Sequence, residues 1–303
     1  MSVFRYDAPM PKPHRLSTAG MELLLLLVPM LWGMGYPLIR SSMGSLGPLG
    51  FLFLRFSSGL LPLVLLSWRS FSSMNRQILR KGLYTGTALF FAYAFLNWGL
   101  VYTTTAKAGF IIGLRVVLVP LVGALLFRLR AALSSWAAAF LSLSGLAFIF
   151  FGEFGFPLRI NPGDALMLAS AFFFAMHVLL VSRYVKYDNY SPLLLLQITT
   201  VVLFSAGGAL VFEGGLFPSS PQVWPRALIA GLFSTALAFW LQNRFQYYST
   251  PDRTSVIFSS EPLFAAFFGF LLLGEMLRGW QWAGAVLIVG AMALAQISRS
   301  RSQ

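Results

Sequence analysis

The chain contains no cysteine and only two histidines. Disulfides and thiolate metal sites are excluded, and two histidines alone do not build a typical zinc centre. Charge is scarce as well. Only 10% of the residues are Asp, Glu, Lys or Arg, against about 25% in a soluble domain. Neither a Walker A loop nor an H-E-x-x-H occurs, so this chain alone is no ATP-driven pump and no zincin protease. A membrane acyltransferase or protease would want a histidine at a suitable spacing from Asp or Ser. His14 sits in the N-terminal stretch, and His177 has no such neighbour. Long polar stretches are also missing. The longest, 1–20, is Pro-rich and basic and reads as a disordered tail.

What remains is apolar: 57% of the residues are hydrophobic. A helix needs about 20 apolar residues to cross the hydrocarbon core. Runs of that kind stand at about 21–39, 47–67, 82–102, 107–127, 134–151, 163–182, 192–212, 226–247, 252–273 and 280–297. The first follows basic residues, as a signal peptide would. It carries Glu22, Pro29 and Trp32 and lacks a small-residue cleavage site, so it reads as a retained helix. The expected fold is all-α, an integral membrane bundle of ten transmembrane helices.

The net charge of +13 becomes a topology signal once it is laid on these helices, and it gives no reason to invoke nucleic acid. With the N-terminus inside, the cytoplasmic segments hold Arg69, Arg76, Arg80, Lys81, Arg128, Arg130, Arg183, Lys186, Arg244 and Arg253, besides the basic residues of both tails. The opposite side holds Arg40, Lys107, Arg159, Arg226 and Arg278. This positive-inside bias predicts both termini in the cytoplasm and a multi-pass protein of the cytoplasmic (inner) membrane.

The chain repeats itself. At an offset of 142 (197 − 55), Arg55 falls on Gln197, Ser57 on Thr199 and Ser58 on Thr200. At an offset of 146 (243 − 97), Asn97 falls on Asn243, Tyr102 on Tyr248, Thr104 on Thr250, Lys107 on Arg253 and Trp136 on Trp282. The expected domains are a basic tail (1–20), two five-helix repeats (21–151 and 163–297) and a short second tail (298–303). Five crossings per repeat make the second insert upside down relative to the first. Secondary transporters use such inverted repeats, with the substrate site near the midplane between them.

Several stretches carry a family resemblance: LWGMGYPLIR at 31–40, LRF at 54–56, YTTTAKAGFI at 102–111, GD at 163–164, and EPLFAAFFGFLLLGE followed by MLRGWQWAGAVLIVGA at 261–291. In order and spacing they resemble the drug/metabolite transporter superfamily, in particular its EamA-type bacterial permeases with two five-helix repeats. The resemblance covers nearly everything from 21 to 297, and Arg115 departs from it. It implies transport of small molecules such as amino acids, metabolites, cations or drugs, often out of the cell.

Three formal charges fall well inside predicted helices: Arg55, Arg115 and Glu261. A charge at helix centre costs about 2.5–3.5 kcal/mol on insertion scales, so each is expected to face a partner or water. The repeat offset maps Arg115 onto Glu261. Two readings stay open: both line a cavity that binds a zwitterion or couples to protons, or they form a permanent ion pair stapling the fourth and ninth helices. Arg55 suits an anion or carboxylate contact, or else a cation held by backbone carbonyls. His177 is a candidate for proton coupling or a buried neutral core residue. Trp32, Tyr36, Tyr93, Asn97, Trp98, Trp240 and Asn243 are candidate pocket residues, since aromatic walls suit small-molecule sites, although many rings must simply pack. Pro120 and Pro262 each remove a backbone donor and can kink a helix. Gly109 and Gly113 form a GxxxG whose repeat equivalents are Ser255 and Ser259. Such spacing permits close helix contact in lipid, expected here at the repeat interface, with a contact inside one repeat as the plainer alternative.

The reading is a secondary transporter without enzymatic activity, an exporter of small polar or amphipathic metabolites such as amino acids that works by alternating access. It requires no cofactor and no metal. Its partners are a small-molecule substrate, membrane lipids and, as one option for coupling, protons; the chain acts as a monomer or homodimer. The alternatives are a multidrug or cation exporter of the same fold and, from another class, a membrane lipid-handling protein or enzyme.

Overall fold

The computed structural model describes residues 18–40, 42, 44–103, 105–151, 161–186, 189–273 and 279–297, a few of them, Tyr36 included, by backbone alone. Both tails, and Glu275 with its loop, lie outside the described residues.

Ten helical paths run through the molecule: α1 (Thr18–Arg40), α2 (Pro48–Ser67), α3 (Arg76–Tyr102), α4 (Thr105–Gly113 continued by Arg115–Phe127), α5 (Leu133–Phe151), α6 (Pro162–Tyr184), α7 (Tyr190–Phe212), α8 (Val223–Ile229, Ala230–Leu237 and Ala238–Phe245), α9 (Pro251–Phe258 continued by Glu261–Leu273) and α10 (Gly279–Ile297). Among the described residues, six stretches are long and apolar enough to cross a membrane, including Pro48–Ser73, Leu133–Phe150 and Tyr190–Phe212. Three paths are not simple rods. The α4 and α9 helices are each interrupted, and the middle of α8, Ala230–Leu237, is a π-helix.

Local chemistry sets the starts. Asn161 accepts from the Asp164 amide while Asp164 Oδ2 accepts from the Asn161 amide, a reciprocal capping box with Pro162 in the first turn of α6. Such a cap contributes about 1 kcal/mol. The Asn75 side chain accepts from the Ile78 amide at the start of α3. Pro48 and Pro251 open α2 and α9, where a missing N–H costs nothing.

The packing shows the pseudo-two-fold. Three pairs of repeat-equivalent helices touch each other directly: α2 with α7, α4 with α9, and α5 with α10. Other contacts come in mirrored sets. The α3–α6 contact is matched by α8–α1, α3–α7 by α8–α2, and α4–α6 by α9–α1. The α5–α10 crossing is tight because each helix offers a glycine: a Cβ on Gly145 would sit 2.7 Å from the Gly284 carbonyl oxygen, and one on Gly284 2.5 Å from that of Gly145. Close backbone approach through small residues supplies association where lipid gives no hydrophobic drive.

The largest core cluster lies where the repeats meet. Phe56, Tyr93, Trp32, Phe239 and Phe258 are buried there. Their rings meet edge-on or tilted, with centroids 5.0–6.3 Å apart, the offset arrangement that aromatic quadrupoles favour. The outward faces are apolar too: Leu65, Leu66, Leu125, Val211 and Phe212 are exposed, as lipid-facing surface requires.

Candidate functional site

The interruptions of α4 and α9 fall at repeat-equivalent places, after Gly113 and Leu114 in one and across Ser259 and Ser260 in the other. Arg115 begins the second segment of α4 and Glu261 the second segment of α9. In α9 the cause is covalent. Pro262 has no N–H, so the Phe258 carbonyl four residues earlier lacks its helical donor. Arg115 takes the vacant role: its Nη2 donates to the Phe258 carbonyl oxygen at 2.9 Å. The same nitrogen donates to Glu261 Oε2 at 2.5 Å. Both side chains are buried. The guanidinium also lies between two rings, its Cζ 5.6 Å from the centroids of both Trp32 and Phe174. Those two rings are themselves related by the 142 offset (174 − 32).

Arg55 approaches from α2. Its Nε donates to Thr235 Oγ1 at 3.0 Å and its Nη2 to the Ser234 carbonyl at 3.1 Å. Both acceptors belong to the π segment of α8. Wider π turns redirect backbone groups, which is why such bulges recur at functional sites. Ser234 also ties that segment to α1, its hydroxyl donating to the Leu31 carbonyl at 2.6 Å. The Arg55 Cζ sits 4.9 Å from the Tyr93 ring centroid.

These groups enclose a small cavity lined by Trp32, Arg55, Tyr93, Leu96, Arg115, Phe174 and Glu261. About 20 Å³ is open to the centre of a water-sized sphere, room for one or two waters. Both repeats contribute to the wall: α1, α2, α3 and α4 from the first, α6 and α9 from the second.

The family model described as the EamA-like transporter family matches residues 20–151 and, again, 161–296. The chain belongs to this family. An uncharacterized transporter of Archaeoglobus fulgidus is 32% identical over 278 residues, covering 91% of this chain and 85% of the relative. A solved crystal structure 19% identical in sequence matches 95% of this chain and 100% of its own length with a TM-score of 0.77, a likeness of fold. The EamA-like chain is a multi-pass membrane transporter, and its cavity lies between the two copies of the family repeat.

The other residues singled out from sequence are scattered. His177 is buried away from the cavity, its Nε2 2.9 Å from Gln197 Oε1 and its ring edge-on to Phe239. Asn97 donates to the Pro48 carbonyl at the start of α2 (3.0 Å), while its equivalent Asn243 donates to Phe239, one turn back in its own helix (2.9 Å). Trp98 packs against Phe212 and Trp240 against Phe245, neither in the cavity wall. The Tyr36 side chain lies outside the described residues. Pro120 is buried within the second segment of α4.

One expectation needs correcting. Gly109 and Gly113 do not face the repeat interface. A Cβ on them would strike Phe150 and Leu146 of α5, in the same repeat. The GxxxG seats α4 on its own neighbour. Among the equivalent serines, Ser255 bonds within α9, whereas Ser259 Oγ lies 2.5 Å from Ser142 Oγ of α5 and so crosses between repeats.

Sequence reasoning missed Phe174, Ser234 and Thr235. Phe174 was legible as the offset partner of Trp32. The π turn has no comparable signal in AGLFSTAL.

Proposed function

We propose that this transporter is a secondary exporter of small polar or amphipathic metabolites, amino acids first among them, that works by alternating access in the cytoplasmic membrane. The distribution of Lys and Arg supports both termini in the cytoplasm. The observation that carries the reading is the buried Arg115–Glu261 pair beside Arg55, in a cavity built by both repeats where α4 and α9 are broken. Broken helices that expose polar groups at mid-depth are how inverted-repeat transporters make a site inside lipid. The cavity is too small for a metabolite, which calls for several hundred Å³, so entry requires the repeats to separate on one side. A small-molecule substrate and protons are the expected partners, and the Arg115–Glu261 pair is the candidate for proton coupling.

A second reading, export of organic cations, is favoured by Glu261 standing among Trp32, Tyr93 and Phe174, since aromatic faces attract cations. The two guanidinium groups in the same wall oppose it. The test is flux into vesicles that hold the purified protein in either orientation, across a panel of amino acids and organic cations, with and without a pH gradient. Saturable amino-acid movement supports the first reading. Movement of cations alone supports the second, and no movement of any solute under any gradient overturns both.

A further inference from the structure

The cavity wall has a charge imbalance. It contains two guanidinium groups and one carboxylate. Arg115 is paired with Glu261, but among the described residues Arg55 forms no ion pair. Among the described residues its partners are neutral: the Thr235 hydroxyl, the Ser234 carbonyl and the faces of Tyr93 and Phe56. Its Nε and Nη2 both donate to uncharged oxygens. Yet Arg55 is buried at 3% exposure. A buried cation without a counter-ion is among the costliest arrangements in a protein interior, more so in a bilayer.

The hydrogen-bond inventory leans the same way. Two more groups in this wall are buried donors with no acceptor: Arg115 Nε and Trp32 Nε1. Neither can accept a hydrogen bond, so only an added acceptor satisfies them. Surplus donors and one surplus positive charge, in one cavity, call for the same kind of ligand group.

We propose that the cavity is an anion subsite, in which the carboxylate of the transported molecule is received by Arg55, with Trp32 Nε1 and Arg115 Nε as supporting donors. This rests on the transport reading above and narrows it: a free carboxylate is what the site selects, and the aromatic walls take the apolar part. Arg55 is then a specificity-determining residue. The π segment of α8 is its positioning element, since Ser234 and Thr235 hold two of its nitrogens and fix the guanidinium in the cavity wall. A guanidinium offers a carboxylate two parallel donors where lysine offers a point charge.

The experiment uses the full chain in lipid nanodiscs and four probes with one ring and different charges: phenylalanine, phenylpropionate, phenylalanine methyl ester and phenethylamine. Thermal stabilisation and tryptophan fluorescence report binding. The two carboxylates are expected to bind at least about tenfold more tightly than the ester and the amine, the size of one lost charge-assisted hydrogen bond. R55Q is expected to abolish that preference. R55K, which keeps the charge, retains the preference for acid over ester at lower affinity, and it decides the matter if R55Q does not fold. Equal binding of ester and acid, an unchanged preference in folded R55Q, an R55K that shows no preference, failure of either acid to bind, or full protection by chloride alone would each overturn the subsite. Equal vesicle flux of acid and ester sinks the subsite and leaves transport standing. Carboxylate binding through Arg55 with no flux of any solute does the reverse.

Discussion

The first repeat places a guanidinium, Arg115, where the second places a carboxylate, Glu261, 146 residues later. The same contrast recurs around them. Arg55 of α2 corresponds to Gln197 of α7, whose side chain, among the described residues, bonds only to His177. The α3 helix runs unbroken, whereas its equivalent α8 contains a π turn that holds Arg55. The helix contacts are nearly two-fold symmetric, yet the polar side chains are not. Duplication supplied a pseudo-two-fold frame. Divergence of a few side chains inside it made the charge at its centre asymmetric.

The ends of the bundle show how far the symmetry extends. At the basic end, Glu22 of α1 accepts from Ser249 at 3.1 Å and pairs with Arg253 at 3.5 Å. At the opposite end, Asp164 of α6 accepts from Thr103 at 2.7 Å. The two carboxylates are related by the 142 offset (164 − 22) and the two hydroxyls by the 146 offset (249 − 103). Each end therefore has a carboxylate–hydroxyl latch between the repeats. At the basic end the second segment of α4 also packs on the first segment of α9.

The strongest way to break this comparison is to equalise the central charges. R115A or E261A leaves one buried charge without its partner, a loss of about 3–5 kcal/mol, measured as collapse of the thermal melting point and of abundance in the membrane. The exchange R115E with E261R is expected to restore abundance. It should not restore transport, because the Phe258 carbonyl freed by Pro262 then has no guanidinium from α4. Recovered flux would mean the two repeats are chemically interchangeable.

A smaller effect separates packing between the repeats from packing within one. In G284A the new Cβ meets the Gly145 backbone, which cannot turn aside. In G113A it meets the Leu146 side chain, which can. Overpacking costs about 1–3 kcal/mol, so G284A should sit near the top of that range and G113A near the bottom in thermal melts. Equal losses would show that the two contacts constrain the bundle alike.

The latches give the next contrast. E22Q weakens an ion pair and T103A removes one hydrogen bond, worth about 1 kcal/mol. Because the chain has no cysteine, a single L96C places a reporter thiol in the cavity wall without background. E22Q should raise its modification from the basic end roughly fivefold, and T103A should raise it less, from the opposite end; one kcal/mol is about a factor of five. Modification from the same end in both variants would remove the latches from the account. The smallest change in stability belongs to P262A, within about 0.5 kcal/mol for a residue in a first turn. It should still slow transport, because the restored N–H competes with Arg115 for the Phe258 carbonyl.

The apolar runs, the duplicated landmarks and the buried charges are properties of composition and spacing, so the ten-helix fold, the two inverted repeats and the transporter family could be read from the sequence itself. Pro262 announced the break in α9 for the same reason, since a missing N–H is covalent. Other features depend on which faces meet. The sequence could not show that Arg115 fills the role vacated at Phe258, that GxxxG faces α5, or that His177 sits away from the charges. Nor could it show that Arg55 rests on a π turn and, among the described residues, forms no ion pair. Those outcomes follow from rotations of a few tens of degrees about helix axes and from a single altered turn. Hydropathy is blind to both, because the energies that decide them lie in contacts between helices far apart in the chain.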